Sequence, residues 1–193
     1  MRYCDCGSPG CTVRPVSSLP PCPRGTNPGR THRFFNGRAV VPFGFGLSFA
    51  SFKYEVASAP DAVSLTPLRG LLRGSDGFIR HADDAALAPP AEYQVTVTNT
   101  GSVPADDAVL GFLTPPGAGE GGVPLQTLFG FERVHLAPGA STTVTLYPAH
   151  ADFAQVGRDG VRRAHPGEYV AKFGVRETAA HGGGYAEHAH VAL

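Results

Sequence analysis

Tryptophan is absent from this 193-residue chain, and lysine occurs only at Lys53 and Lys172. The missing tryptophan argues against a carbohydrate-binding module, because such modules usually stack sugar rings on exposed Trp or Tyr side chains. The scarcity of lysine, with a formal net charge of +0, leaves no basic face for nucleic acid or an anionic membrane. Neither a nucleic acid nor a membrane is therefore expected as a partner.

Long hydrophobic runs are also missing. No stretch reaches the roughly eighteen apolar residues that a membrane-spanning helix needs. The first residues lack the charged and apolar regions of an export signal, and no Asn-x-Ser/Thr sequon indicates a glycosylated surface. The residues themselves therefore leave the cellular location open.

Glycine and proline, by contrast, are abundant, with 25 and 18 residues. Apolar residues seldom recur at helical spacing, whereas Val, Thr and Phe cluster in short runs between turn-forming residues. The length allows one domain of ordinary size with appendages. We therefore predict an all-β domain with many turns.

Residues 1–27 are rich in Cys, Pro, Gly and Ser and show no periodicity, so they are predicted to form a disordered leader. Their cysteines lack the paired C-x₂-C spacing of common zinc modules. A metal site, a pair of disulfides and no role at all stay open for these side chains. The cysteines are Cys4, Cys6, Cys11 and Cys22.

Residues 28–52, called the strap below, are aromatic and punctuated by glycine. Asn36 and Gly37 separate two apolar runs and predict a tight hairpin, because both residues tolerate positive φ. Beyond them, large apolar side chains recur at every second position, which predicts burial on one face. These are Phe43, Phe45, Leu47 and Phe49. So many aromatic residues in a connecting segment indicate a strap packed between two bodies of protein.

The remainder, residues 53–193, predicts a β-sandwich of about seven strands. Residues 53–90 have a weak pattern and are predicted to form an edge strand and a variable connector. Residues 92–98 alternate strictly between apolar and polar, which indicates a half-buried strand. Residues 109–113 are apolar on both faces, which indicates a central strand covered by a second body.

Two finer features are predicted within this region. A phase change in residues 125–136 predicts a β-bulge near Glu132 and Arg133 that would turn four apolar side chains toward the core. Those side chains are Phe129, Phe131, Val134 and Leu136. Tyr169 follows a Pro-Gly corner and has the position of a tyrosine corner, in which a buried hydroxyl binds the backbone a few residues upstream.

The sequence shows no group of residues suited to catalysis, metal binding or cofactor binding. The acidic residues lie beside turns or in β patterns, where solvated surface carboxylates are the usual interpretation. His188 and His190 share a strand face without a third ligand, so exposed polar residues on an edge strand are expected. No nucleotide or cofactor motif is present, and we predict no catalytic residue, metal or cofactor. The acids considered are Asp83, Asp84, Asp106, Asp107, Glu120 and Glu132.

Two stretches of the strap resemble a known family. PGRTHRFF at 28–35 and PFGFGLSF at 42–49 are similar to signatures near the end of glycoside hydrolase family 3 enzymes, especially plant-type β-xylosidases and β-glucosidases. Further similar segments are VTNTG at 97–101, LFGFERVHL at 128–136 and PGEY at 166–169. The resemblance covers most of the chain from Pro28 onward.

The resemblance implies an immunoglobulin or fibronectin type III-like β-sandwich at 53–193, acting as an accessory domain. Its implied partners are upstream glycosidase catalytic domains and a plant cell-wall polysaccharide such as xylan, in an extracellular or vacuolar location. The family's catalytic carboxylates lie upstream, so this chain alone is expected to be inactive. An independent protein-interaction or carbohydrate-binding module is the alternative. Structural or interface roles are expected for Arg30, Phe34, Phe43, Phe45, Leu47, Phe49 and Tyr169.

Overall fold

The computed structural model describes residues 2–4, 13–15, 29–37, 39–46, 48–74, 78–157, 159–175 and 185–193. Near the amino terminus, β1 (Arg2–Cys4) and β2 (Val13–Pro15) form an antiparallel pair. The rest of the predicted leader, with Cys6, Cys11 and Cys22, lies outside the described residues, as does Leu47 of the strap. The leader's disorder therefore stays a prediction.

One sheet of the sandwich has three antiparallel strands. Its order is β3 (Phe52–Ser58), β5 (Tyr93–Asn99) and β8 (Ser141–Leu146). The predicted alternation in the central strand is confirmed, because Tyr93, Val95 and Val97 are fully buried. Burying each of these side chains stabilises the fold by about 1.5–3 kcal/mol relative to leaving it exposed.

The second sheet has five strands in the order β4, β12, β11, β6 and β7. Most pairs are antiparallel, and only the short β4 runs parallel to β12. A separate hairpin joins β9 and β10 around Asp159 and Gly160. The strand bounds are β4 (Ala62–Val63), β6 (Ala105–Thr114), β7 (Thr127–Leu136), β9 (Ala154–Val156), β10 (Arg162–Ala164), β11 (Gly167–Phe173) and β12 (Ala186–Ala192).

The two sheets share one apolar core. The rings of Tyr93, on the first sheet, and Phe173, on the second, have centroids 5.4 Å apart. Phe129 approaches both, at 5.7 Å and 6.2 Å, in the tilted and edge-on arrangements that aromatic pairs prefer. The predicted all-β sandwich is therefore confirmed.

The connector between β4 and β5 contains helices that the sequence analysis missed. α2 (Thr66–Gly74) and α3 (His81–Ala85) lie there, and a 3₁₀ helix (His150–Phe153) follows β8. Leu65 and Leu68 are fully buried, and Leu72 packs against the same core. Because these leucines are three and four residues apart, they share one helical face. The prediction of a variable connector did not take this spacing into account.

The predicted β-bulge exists, but its predicted position is wrong. The register between β6 and β7 shifts after Gly111, and Phe129 is the unpaired residue. A Cβ at Gly111 would lie 2.7 Å from the Phe129 ring, so the glycine makes room for that ring above the sheet. Because the phase changes before Phe131, its side chain is exposed instead of joining Val134 and Leu136 in the core.

The expectation of surface exposure is wrong for Asp84. Its carboxylate is buried and accepts backbone N–H bonds from His150 and Ala151, at 3.0 Å and 2.9 Å. One carboxylate oxygen also lies 2.9 Å from His150 Nδ1. Asp84 therefore satisfies the first N–H groups of the 3₁₀ helix, as a capping residue does.

His190 also differs from its predicted exposure, since only 2% of its surface is accessible. β12 is not an edge strand, because β4 and β11 flank it. The imidazole lies between the rings of Tyr93, Phe153 and Tyr169, with centroid distances of 5.9–6.1 Å. His188 on the same face is partly buried, and its Nε2 lies 3.0 Å from the carbonyl oxygen of Pro60.

Candidate docking surface and cleft

The strap begins with a short helix, α1 (Thr31–Phe34), where a hairpin was predicted. The hairpin prediction is wrong because the residues before Asn36 bond to their own backbone and to a distant loop. The N–H groups of Phe34 and Phe35 bind the carbonyls of Arg30 and Thr31, at 3.2 Å and 3.0 Å. The N–H of Leu125 binds the carbonyl of Arg33 at 2.6 Å, which fixes α1 to the loop between β6 and β7.

The next part of the strap covers the outer face of β6. The His32 and Phe43 rings stack with centroids 4.1 Å apart, and both contact Phe112 at about 6 Å. Gly44 lies against Leu110, since a Cβ there would be 2.1 Å from the Leu110 side chain. The second apolar face of β6 was predicted to be covered by another body, and in this structure the chain's own strap covers it.

The outer side of the strap is exposed and apolar. Phe49 and Val40 have 98% and 96% of their surfaces accessible, and Phe43 has 48%. In this chain by itself, the predicted burial of every second side chain is therefore not seen for Phe43 and Phe49. Phe45 is partly buried, and Arg30 is exposed. Phe131 extends this apolar surface, because it is the cross-strand neighbour of Leu110 on the sheet face that the strap covers.

A cleft of about 400 Å³ lies between α1, the loop before β7 and the β9–β10 hairpin. Arg33 and Phe34 line it from the strap, and the guanidinium of Arg33 lies 5.5 Å from the centre of the Phe34 ring. Asp152, Gln155 and Arg162 line it from the other side. No sequence motif marked these three residues, because only the fold brings the hairpin next to the strap.

Electrostatics in the cleft are set by burial. Desolvation raises the pKa of Asp152 to about 6, although its carboxylate accepts the backbone N–H of Ala149 at 2.8 Å. A smaller contribution in the same direction comes from the negative charge of Asp84.

Tyr169 lies in the core, apart from the exposed side of the strap. It is fully buried, and its hydroxyl donates to the carbonyl of His165 at 2.9 Å, with the carbonyl of Phe153 at 3.2 Å. Burial raises the pKa of Tyr169 to about 12, against a smaller opposing effect of the Gln155 amide. The burial and the upstream hydrogen bond agree with the predicted tyrosine corner.

Neither a metal-binding group nor a membrane-spanning helix is found among the described residues. No three His, Cys, Asp or Glu side chains in that part of the chain are grouped so that they could bind a metal ion. None of the helices described above is both long and apolar enough to cross a membrane.

Comparison with known proteins defines the class of the fold. Residues 107–175 match the fibronectin type III-like domain family. A β-glucosidase from Erythrobacter marinus superposes with a TM-score of 0.60 over 86% of this chain and 20% of its own, at 24% identity. A family 3 β-glucosidase from Bifidobacterium adolescentis gives a TM-score of 0.56 over 83% of this chain and 20% of its own, also at 24% identity. The chain thus contains a fibronectin type III-like β-sandwich.

Curated relatives give the family. Beta-D-xylosidase 1 of Arabidopsis thaliana is 36% identical in an alignment of 160 residues that covers 78% of this chain and 20% of the relative. A probable exo-1,4-beta-xylosidase of Aspergillus oryzae is 33% identical over 156 residues, 80% of this chain and 19% of the relative. The chain therefore spans about a fifth of the length of these relatives. It belongs to the C-terminal, fibronectin type III-like part of the glycoside hydrolase family 3 β-xylosidases and β-glucosidases.

Proposed function

We propose that this chain serves as the accessory domain of a family 3 β-xylosidase or β-glucosidase and that the exposed side of its strap contacts upstream catalytic domains. The observation that carries the proposal is the contrast between the two sides of the strap. One side is fixed to β6 through Phe43 and Gly44, whereas the other exposes Val40 and Phe49 almost completely.

Such an arrangement favours docking over flexibility. Large apolar side chains exposed on one segment indicate an interaction site, because leaving them in water costs free energy. The strap's backbone is held by the Leu125–Arg33 hydrogen bond and by the Gly44–Leu110 contact. The exposed side chains are therefore presented in a preorganised arrangement, which lowers the entropic cost of binding.

In this proposal, the catalytic carboxyl groups lie in the upstream domains. A glycosidase needs two carboxyl groups on either side of the scissile bond, roughly 5–9.5 Å apart depending on the mechanism. Asp84 and Asp107 are instead occupied as a helix cap and as the acceptor of the Tyr54 hydroxyl at 2.7 Å. Asp106 interacts with Arg133 and His135 on the surface. Hydrolysis of xylosides or glucosides by the upstream domains, and contact with a polymer such as xylan, belong to the same proposal.

The test joins this chain to the upstream part of Beta-D-xylosidase 1, in place of the fifth of that relative that it matches, and compares the joined protein with the isolated chain. We expect the isolated chain to bind an apolar dye and to self-associate, and both to decrease in the joined protein. Val40→Ser with Phe49→Ser should lower the midpoint of thermal unfolding of the joined protein. Phe78→Ser is the matched control, because Phe78 is an exposed phenylalanine outside the strap.

Two results would contradict the proposal. One is dye binding that stays the same after the upstream domain is joined. The other is hydrolysis of aryl β-xylosides or β-glucosides by the isolated chain, abolished by changing Asp106, Asp107 or Glu132, which would make the chain an enzyme in its own right.

A further inference from the structure

The cleft beside α1 has the dimensions of a small-ligand site. Its volume of about 400 Å³ falls within the roughly 300–1,000 Å³ of typical ligand pockets. Leu113 and Gln155 are buried at its base, and Phe34 contributes an exposed ring at its rim. An apolar ring beside convergent polar groups is the composition that such pockets share.

Positive charge in the cleft is not neutralised. Neither Arg33 nor Arg162 forms an ion pair within the described part of the chain. The neighbouring Arg163 differs, because its guanidinium binds both carboxylate oxygens of Asp159. Asp152 is the one acidic residue among the described lining residues. Because a planar guanidinium pairs best with a carboxylate or phosphate, the two free arginines favour an anionic group in the ligand.

The base of the cleft has an unsatisfied amide. Gln155 is 8% exposed, and neither its nitrogen nor its oxygen has a partner at full hydrogen-bond geometry within the described residues, although the amide lies close enough to the Tyr169 hydroxyl to oppose the rise in that group's pKa. Buried polar groups without partners are rare, because each has lost its hydrogen bonds to water. Both amide atoms are closed to solvent, so a ligand hydroxyl that donates to the amide oxygen and accepts from the amide nitrogen requires the Gln155 side chain to turn toward the cleft. The ligand that fits therefore carries hydroxyl groups as well as an anion.

We propose that this cleft binds a saccharide unit bearing a carboxylate, such as a uronic acid substituent of a cell-wall polysaccharide. Its carboxylate pairs with Arg162 and Arg33, its C–H face packs on the Phe34 ring, and its hydroxyls bind the Gln155 amide when that side chain turns toward the cleft. The choice of a saccharide over another hydroxylated anion rests on the proposed function, because the relatives are named xylosidases. The cleft then holds an acidic side group of the polymer.

The experiment titrates the full chain with two xylo-oligosaccharides of equal length, one neutral and one carrying a glucuronic acid group. Amide chemical shifts in ¹⁵N-labelled protein report both affinity and location. We expect the acidic oligosaccharide to shift residues around the cleft, with affinity that decreases as salt increases. Arg162→Gln should weaken this binding about tenfold or more, the loss expected for one charge-assisted hydrogen-bonded pair.

Arg163→Gln is the matched control, because it removes the same charge from the adjacent position of β10, which does not line the cleft. It should leave the affinity unchanged. Phe34→Leu should weaken both oligosaccharides if the ring supports the sugar. No binding, or equal binding of the two oligosaccharides with no effect of Arg162→Gln, would overturn the inference.

A protein segment is the competing occupant, and the same variants separate it. If Arg162→Gln destabilises the joined protein described above and no saccharide binds, the cleft holds an acidic part of the upstream domain. The saccharide inference is then wrong, although the accessory role stands. If the acidic oligosaccharide binds and strap variants do not affect the joined protein, the accessory role fails and the saccharide site stands.

Discussion

β5 and the strap have the same alternating apolar pattern and opposite outcomes. In β5, Tyr93, Val95 and Val97 are fully buried, whereas Phe49 of the strap is almost completely exposed. β5 lies between β3 and β8 and faces a second sheet, so each alternate side chain meets apolar neighbours. Among the described residues, the strap has no strand partner before its last residue, Phe52, where β3 begins. Alternation therefore predicts which side chains share a face, and only the partners decide whether that face is buried.

Two glycines of the strap add to its difference from β5. Gly44 and Gly46 have φ angles of +83° and +68°, values that a pleated strand does not contain. Phe43 and Phe45 therefore do not point to the same side as they would in a strand. Gly44 also permits the close approach to Leu110 that fixes the strap. The same residue that disrupts the alternation thus places the strap on β6.

The largest expected effect comes from removing an aromatic ring from each region. Phe173→Ala should destabilise the chain by about 3–5 kcal/mol, because the ring is fully buried against Tyr93 and Phe129. Phe49→Ala should change the free energy of unfolding by no more than about 0.5 kcal/mol. Urea denaturation of both variants measures the contrast. A similar loss of stability in the two would show that the strap belongs to the folded core.

The sequence predicts the regions with partners within the chain well. The alternation at 92–98 and the two-faced apolar run at 109–113 are local signals, and both strands are present. Features created by distant contacts were missed. Asp84 caps a helix 66 residues further along the chain, and β4 pairs with β12, more than a hundred residues away. The local sequence around Asp84 or β4 therefore gives no sign of its partner.

The candidate site follows the same division. The strap was recognisable from its rings and glycines, but the cleft was not. Its polar residues come from α1, the 3₁₀ helix and the β9–β10 hairpin, which have no common motif. Only the tertiary fold brings Arg33 and Arg162 to one cleft.

An intermediate effect is expected from acid, which acts on the core through His190. Burial lowers the pKa of His190 to about 4 from 6.5, with a smaller contribution from His188. Above pH 6.5 the imidazole is neutral in both folded and unfolded chains, so its titration does not make stability depend on pH there. Between pH 6.5 and about 4 only the unfolded chain takes up the proton, and stability should fall by about 3 kcal/mol in total.

His190→Gln tests this cause, since glutamine does not titrate. The variant should be less stable at pH 7 but lose less stability than the wild type between pH 6.5 and 4. Asp152 acts in the opposite direction in part of this range, because its pKa of about 6 lies above that of an ordinary aspartate, 3.8. Its contribution is common to both proteins, so the difference between their pH profiles reports His190. Parallel profiles would rule out the imidazole as the source.

The smallest expected effect concerns one hydroxyl group in the core. Tyr169→Phe keeps the ring against Phe153, whose centroid is 5.1 Å away, and removes only the hydroxyl, with its bond to the His165 carbonyl and its longer contact with the Phe153 carbonyl. The loss should be about 1 kcal/mol or somewhat more, because one buried hydrogen bond disappears and its acceptor is left unpaired. Thermal and urea unfolding at pH 7 measure it. Tyr147→Phe is the control, since Tyr147 is an exposed tyrosine for which no change is expected. An unchanged unfolding curve for Tyr169→Phe would mean that the turn at Pro166 and Gly167 holds β11 in place without the hydroxyl, and that the corner contributes packing alone.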